Sequence, residues 1–209
     1  MQNYCTLYIV RHGETEWNVR KIIQGHEDIP LNKKGEVQAK ELAKKLRHIK
    51  FDAVFSSDLI RAKRTAEIIT LEKKMAVQTT KALKERYFGK YQGRSFAVNN
   101  EMMRLINNLK MVTGRGAKEV EGDENIISRL TTFLREIAVT YAGKTVLVVS
   151  HGGPIRTLLI HLGFATYDNF NEGQINNLAF VKLKSDGVDF FVEETNGIEI
   201  KKIVKNLSN

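Results

Sequence analysis

Cysteine and proline are almost missing from this chain. One cysteine, Cys5, and two prolines occur in 209 residues. A lone cysteine excludes an intrachain disulfide, and with it the disulfide-stapled secreted scaffolds. Two prolines beside 15 glycines exclude collagen and Pro/Gly-rich disorder. No apolar run approaches the roughly 18–20 residues a membrane span requires. No basic segment followed by an apolar stretch marks a leader at the N-terminus. A GxxxxGKS/T phosphate loop, a GxSxG elbow and the HxxxH and CxxC metal spacings are all absent. The expectation is a soluble, cytoplasmic protein with no membrane partner.

What is present is core and positive charge. Hydrophobic residues make up 42% of the chain. At roughly 100–200 residues per domain, residues 1–209 read as a single domain. The formal net charge is +9, and it lies wholly in residues 1–100, where 20 Lys/Arg face 11 Asp/Glu. Residues 101–209 balance at 13 and 13. A positive first half suits an anionic ligand, although solvated helix faces account for many of the lysines. The aromatic residues do not interleave with the basic ones as a stacking platform requires, so no nucleic-acid partner is expected.

Strands alternate with helices along the chain. Thr6–Val10 reads as a buried strand ending in Arg11-His12-Gly13. Residues 35–49 carry Val37, Leu42, Leu46 and Ile49 at helical spacing, and Phe51–Phe55 reads as a second strand. Asp58 is a candidate cap for a helix with Leu59, Ala62, Ala66 and Ile69. Met75–Thr79 is a weak strand, and residues 97–112 and 124–141 look helical, the latter with Asp123 as cap. Val146–Val149 is the strongest strand and ends in Ser150-His151-Gly152-Gly153, before a helix begun by Pro154. Residues 178–183 and 188–194 make a hairpin around Ser185-Asp186-Gly187, and the last nine residues read as a solvated tail. This order implies an α/β fold, a three-layer sandwich with a mostly parallel sheet, whose ligands bind beyond the carboxyl ends of strands. If the two strong strands are parallel neighbours, His12 and His151 face one crevice.

Polar density after a buried strand singles out residues 11–18, which hold Arg, His, Glu, Thr and Asn together. Pattern alone does not separate Arg61 from Arg64, nor the Glu85 segment KERYFGKYQG from a surface loop. His26 and His48 are less informative, His48 standing near a basic helix end where a histidine cation is favourable, and His161 reads as helix packing beside Leu158 and Leu162.

Taken in order, five segments resemble the histidine phosphatase superfamily, also called the phosphoglycerate mutase-like family. They are VRHGETEWN (10–18), IQGHEDIPLNKKGEVQA (23–39), FSSDLIRAKRTAE (55–67), ERYFGKYQG (85–93) and VSHGGPIR (149–156). The resemblance implies that His12 is the nucleophile that becomes a phosphohistidine. It implies that Arg11, Arg61 and His151 surround the phosphoryl group and that Glu85 gives a proton to the leaving oxygen. Thr15, Asn18, Gln24, Gly25 and Gly152 are then the substrate-binding candidates, no metal or other cofactor takes part, and residues about 86–125 form a helical lid. Glu85 must be protonated to act as an acid, and a bound phosphate dianion is expected to bring that about.

Phosphatase and mutase remain to be told apart. The mutases usually carry tyrosine where this chain has Phe88 and lysine where it has Phe96. They also carry an insertion with two arginines before the second His-Gly, whereas Glu85 and His151 here are only 66 positions apart. These departures favour a phosphatase acting on small phosphorylated metabolites, with a mutase and a non-catalytic phosphate-binding module as alternatives. Arg86, Lys90, Arg94, Arg104 and Arg115 are candidates for a second anionic site. A homodimer stays open.

Overall fold

The computed structural model describes residues 3–95, 120–170 and 174–200. Six strands form one sheet: β1 (Cys5–Arg11), β2 (Ala53–Ser57), β3 (Gln78–Thr80), β4 (Thr145–Ser150), β5 (Ile175–Ser185) and β6 (Phe190–Ile198). Their spatial order is β3-β2-β4-β1-β5-β6. The first four run parallel, and β5 and β6 form the antiparallel hairpin expected at the C-terminal end. Helices α1 (Glu16–Val19), α2 (Lys33–Lys45), α3 (Ile60–Thr70), α4 (Asp123–Thr140), α5 (Gly152–His161) and α6 (Tyr167–Phe170) complete the described elements with three short 3-10 turns. No helix among the described residues is long and apolar enough to cross a membrane.

The strands are apolar on both faces because each face is covered. In β1, Leu7 and Ile9 point into a core shared with Leu130 and Leu134 of α4 and Ile155 and Leu158 of α5. The alternate residues Tyr8 and Val10 point into a second core with Ala39 and Leu42 of α2 and Ala62 and Ala66 of α3. In β4, Val146 and Val148 divide from Leu147 and Val149 in the same way. A two-residue side-chain period buried on both sides is the signature of a sheet between helix layers, the α/β/α sandwich expected from sequence. The helices that follow β1 and β4 leave to opposite faces. That divergence between adjacent parallel strands opens a crevice at their carboxyl ends.

Several local expectations need correction. Val37 is 50% exposed, and α2 instead buries Gly35, Ala39 and Leu42. Ile49 lies beyond the end of α2, whose N-cap is Asn32, accepting from Gly35 N. Asp58 does not cap α3. The cap position is Leu59, and the orphan N–H of Ile60 donates to Asp28 Oδ1 at 2.6 Å from a distant loop. Asp58 lies 3.4 Å from Lys84 Nζ instead. Asp123 is the first residue of α4, capped by Gly122, so its carboxylate is available elsewhere. His161 is exposed rather than packed. The expected helix at 97–112, Phe96, Arg104, Arg115, most of the expected lid and the C-terminal tail fall largely or wholly outside the described residues.

Backbone contact fixes the β1–α1 loop. A Cβ on Gly35 would lie 2.2 Å from Glu14 O, and one on Gly13 2.6 Å from Gly35 O. Two glycines thus let the start of α2 press directly on the segment that carries His12. Gly13 N also donates to Thr65 Oγ1 of α3 at 3.1 Å.

Candidate active site

His12 and His151 stand at the carboxyl ends of β1 and β4, one residue beyond the paired Arg11 and Ser150. His12 N donates to Ser150 O at 3.1 Å, which locks the two strand ends together. The imidazole rings meet edge to face with centroids 5.1 Å apart. His12 is 2% exposed and His151 is fully buried. His12 Nδ1 lies 2.7 Å from Gly13 O, so Nδ1 carries the proton and Nε2 keeps its lone pair. Burial and the Arg61 and Arg11 cations hold His12 neutral well below the usual histidine range. His151 is held down likewise, first by burial and then by Arg61, His12, Arg11 and Arg129.

Arg61 is fully buried although it lies in the first turn of α3. Its Nη1 and Nη2 donate to Glu27 O and Gly25 O, each at 2.7 Å, so the 24–28 loop folds over the guanidinium and holds it rigid. Gly25 makes that turn with φ +52°. Burial lowers the Arg61 cation to about 10, so it stays charged at neutral pH. Arg64, indistinguishable by pattern, is half exposed and pairs with Glu36 at 2.9 Å on the surface. Arg11 anchors Nη1 on Ile175 O of β5.

Glu85 approaches from the other side. Its Oε1 accepts from Arg86 N at 2.8 Å and its Oε2 from Gly153 N at 3.3 Å, at the N-terminus of α5. Its backbone carbonyl is clamped by His26 Nε2 at 2.8 Å and Arg129 Nη2 at 3.3 Å. A Cβ on Gly153 would stand 2.2 Å from Glu85 Oε1. Gly153→Ala therefore displaces the carboxylate while leaving the helix intact. If Glu85 is the proton donor that the family resemblance implies, kcat is expected to fall on the order of 10–100-fold. A thermal melt within a few degrees of wild type, read beside steady-state rates, separates this from unfolding.

Together these groups line a cavity of about 510 Å³ that includes Arg11, His12, Asn18, Gln24, Gly25, Arg61, Glu85 and Gly152. His151 backs it through the His12 ring. Among the described residues, five buried polar atoms around it have no hydrogen-bond partner: Arg11 Nε, Arg61 Nε, Gln24 Oε1 and both ring nitrogens of His151. Buried polar groups are normally paired, so such a cluster marks where a ligand completes the structure. Thr15 does not line the cavity. Its hydroxyl caps α1, bonding Asn18 N and Oδ1 at 3.1 Å each. Those bonds occupy the Asn18 carboxamide oxygen and leave its Nδ2 as the donor on offer. Among the described residues, no group of three or more His, Cys, Asp or Glu is arranged to hold a metal ion.

Sequence reasoning passed over three residues. His26 holds Glu85, as above. Asn177 Nδ2 donates to His12 O at 3.0 Å, and the next residue, Leu178, turns left-handed at φ 60° where the β5–β6 register breaks. Arg156 of α5 also lines the cavity. Of the expected second-anion candidates among the described residues, only Arg86 lines the cavity. Lys90 and Arg94 lie over the Tyr91 ring instead.

The two buried histidines make stability depend on pH. Each titrates near 6.5 when unfolded but stays neutral well below that in the native state. Below 6.5 the unfolded chain binds more protons, so stability is full above that pH and is lost as pH falls. The loss is about 1.4 kcal/mol per pH unit for each histidine. Urea midpoints between pH 7.5 and 5 are expected to drop steeply for wild type and more shallowly for His12→Asn/His151→Asn.

Known proteins resemble this chain over most of its length. Phosphoglycerate mutase-like protein 4 of Arabidopsis thaliana is 36% identical over 165 residues, 75% of this chain and 70% of its own. Broad-specificity phosphatase YOR283W of Saccharomyces cerevisiae is 34% identical over 177 residues, 79% of this chain and 73% of its own. The solved structure of Bacillus stearothermophilus YhfR superposes with a TM-score of 0.80 at 27% identity, over 92% of this chain and 96% of that one. The family profile of the histidine phosphatase superfamily (branch 1) matches residues 7–197. The chain belongs to the histidine phosphatase superfamily.

Proposed function

We propose that the protein is a metal-independent phosphomonoesterase that hydrolyses small phosphorylated metabolites through a phosphohistidine on His12. The observation that carries this reading is the set of unpartnered buried donors and acceptors of Arg11, Arg61, Gln24 and His151 beside the free Nε2 of His12. Phosphoryl transfer needs positioning and charge neutralisation of the equatorial oxygens, and arginine supplies both with fixed donors.

In the first step His12 Nε2 attacks phosphorus and an N–P bond forms as the ester P–O bond breaks. The Glu85 carboxyl delivers its proton to the leaving alkoxide. In the second step the Glu85 carboxylate takes a proton from water, the hydroxide attacks phosphorus, and the N–P bond breaks. Inorganic phosphate leaves and His12 returns to its neutral form. Asn18, Gln24 and the Gly152 N–H bind the phosphoryl oxygens. The single cysteine, buried Cys5, fits a reducing compartment, and we place the enzyme in the cytoplasm.

Phosphate release from p-nitrophenyl phosphate and a panel of metabolite phosphates, in EDTA, tests the reading. Release by wild type at rates unaffected by EDTA supports it. No release, with interconversion of phosphoglycerates that depends on 2,3-bisphosphoglycerate, replaces it with the mutase, to which the names of several relatives point.

A further inference from the structure

The proton donor of the mechanism above sits on irregular backbone. Residues 84–88 belong to no helix or strand, so neither a ladder nor a helical turn fixes the place of Glu85. Its carboxylate bonds fix it weakly. Oε1 accepts from Arg86 N, which moves with the same segment, and the bond from Gly153 N to Oε2 is long at 3.3 Å. Side chains from other elements hold the segment instead. Ser150 Oγ donates to Leu83 O at 2.8 Å, and His26 Nε2 donates to Glu85 O at the same distance.

Arg129 of α4 spans more of the segment than either. Its Nη1 donates to Ala82 O at 2.7 Å and its Nη2 to Glu85 O at 3.3 Å. Glu121 fixes the guanidinium fork in turn, accepting from Nε at 2.7 Å on Oε1 and from Nη2 at 3.0 Å on Oε2. Such a bidentate pair sets orientation as well as charge. Glu121 also grips the segment beyond Glu85. Its Oε2 accepts from Tyr87 N at 3.1 Å, its N donates to Tyr87 O at 2.8 Å, and its O accepts from Arg86 Nη1 at 2.6 Å. The pair therefore holds residues 82, 85, 86 and 87, on both sides of the acid. Arg129 does not line the cavity that holds His12. It faces a separate surface hollow of about 470 Å³ with Glu121, Ser128 and Thr132.

Resting on the reading of Glu85 as proton donor, we propose that Arg129, locked by Glu121, is the positioning residue that aims the Glu85 carboxyl at the leaving oxygen. Proton transfer demands hydrogen-bond reach in a fixed direction, and a displacement of about 1 Å can cost 10²-fold. A guanidinium serves two carbonyls and a carboxylate at once because its donors are fixed in one plane, which an ammonium cannot reproduce. Arg129 also adds to the cations that keep His151 neutral. That effect acts on phosphoryl transfer whatever the leaving group, whereas aiming the acid matters only where the leaving oxygen needs a proton.

The test compares kcat/KM for p-nitrophenyl phosphate and glycerol 3-phosphate in wild type, Glu85→Gln, Arg129→Gln and Arg129→Lys. Nitrophenolate is a weak base and leaves without a proton, whereas the glycerol alkoxide needs one. kcat/KM reports the steps up to alcohol release, so later use of the Glu85 carboxylate as a base does not enter. Arg129→Gln is expected to lower the glycerol 3-phosphate value by about 10–100-fold and the p-nitrophenyl phosphate value by no more than about threefold. Glu85→Gln is expected to show the same split at about 10²–10⁴-fold on the alkyl ester. Arg129→Lys keeps the cation and loses the fork, so it is expected to fall nearer to Arg129→Gln than to wild type. Glu121→Gln keeps an acceptor for Tyr87 N and loosens Arg129, and should show a smaller split. Thermal melts check that each variant folds. Equal falls on the two esters in Arg129→Gln, no fall on glycerol 3-phosphate, or a wild-type value in Arg129→Lys would each overturn the positioning role. Equal falls in Glu85→Gln would reject Glu85 as proton donor, and the proposal with it. If wild type hydrolyses neither ester, the phosphatase reading fails and amide exchange decides the positioning alone. Faster exchange of the Gly153 N–H in Arg129→Gln then supports it, and an unchanged rate overturns it.

Discussion

His12→Ala is expected to lower phosphate release by at least about 10⁴-fold, the scale of losing the nucleophile of a covalent catalyst. The reason is geometric. Nε2 is the one ring nitrogen on His12 with a lone pair free, because Nδ1 is committed to Gly13 O at 2.7 Å. His151, 5.1 Å away between centroids, cannot replace it, because it is fully buried and does not line the cavity. The variant is expected to fold. His12 is a buried polar group held neutral against its solution preference, so its removal gains stability at acid pH relative to wild type. Loss of rate with an acid-side gain in urea midpoint is the joint outcome. A fall below tenfold would remove His12 from the nucleophile's role.

Arg61→Lys is expected to lower kcat by about 10²–10³-fold, the usual scale for one misplaced donor at a developing charge. The charge survives this substitution, but the fork does not. Arg61 uses two donors on Glu27 O and Gly25 O and keeps Nε towards the cavity. An ammonium cannot hold two carbonyls of that loop and also reach a phosphoryl oxygen in fixed geometry. The loop loosens as well, and an unpaired buried carbonyl costs about 1–3 kcal/mol. The variant should therefore also melt several degrees lower. A proton titration of His12 followed by NMR gives a second check. Arg61→Met removes the strongest cation acting on His12 and is expected to move its titration up towards 6.5.

The fold was largely readable because its signals are local. The buried runs of β1 and β4 end in His-Gly steps, and parallel pairing of those two strands is enough to bring His12 and His151 together. Arg61 was not readable from pattern. It and Arg64 are both cationic residues near the start of one helix, and what separates them is a loop from residues 24–28 that buries one and misses the other. The family resemblance made that choice where periodicity could not. Asn177 and His26 act through partners 165 and 59 positions away, a relation no local motif carries. The cap of α3 failed for the same reason, since Asp28 reaches Ile60 from across the fold. The hydroxyl of Thr15 serves helix α1, a local use that its place in the motif conceals.

The central claim is a covalent phosphoryl group on His12. Wild-type enzyme is mixed with a ³²P-labelled phosphomonoester, quenched in alkali within milliseconds, and mapped by peptide mass spectrometry. The expected result is one acid-labile, alkali-stable phosphoryl group on the peptide containing His12. It should form and decay at rates consistent with turnover and be absent from His12→Ala. Label on any other residue, or steady hydrolysis with no labelled enzyme at any time point, would contradict the account.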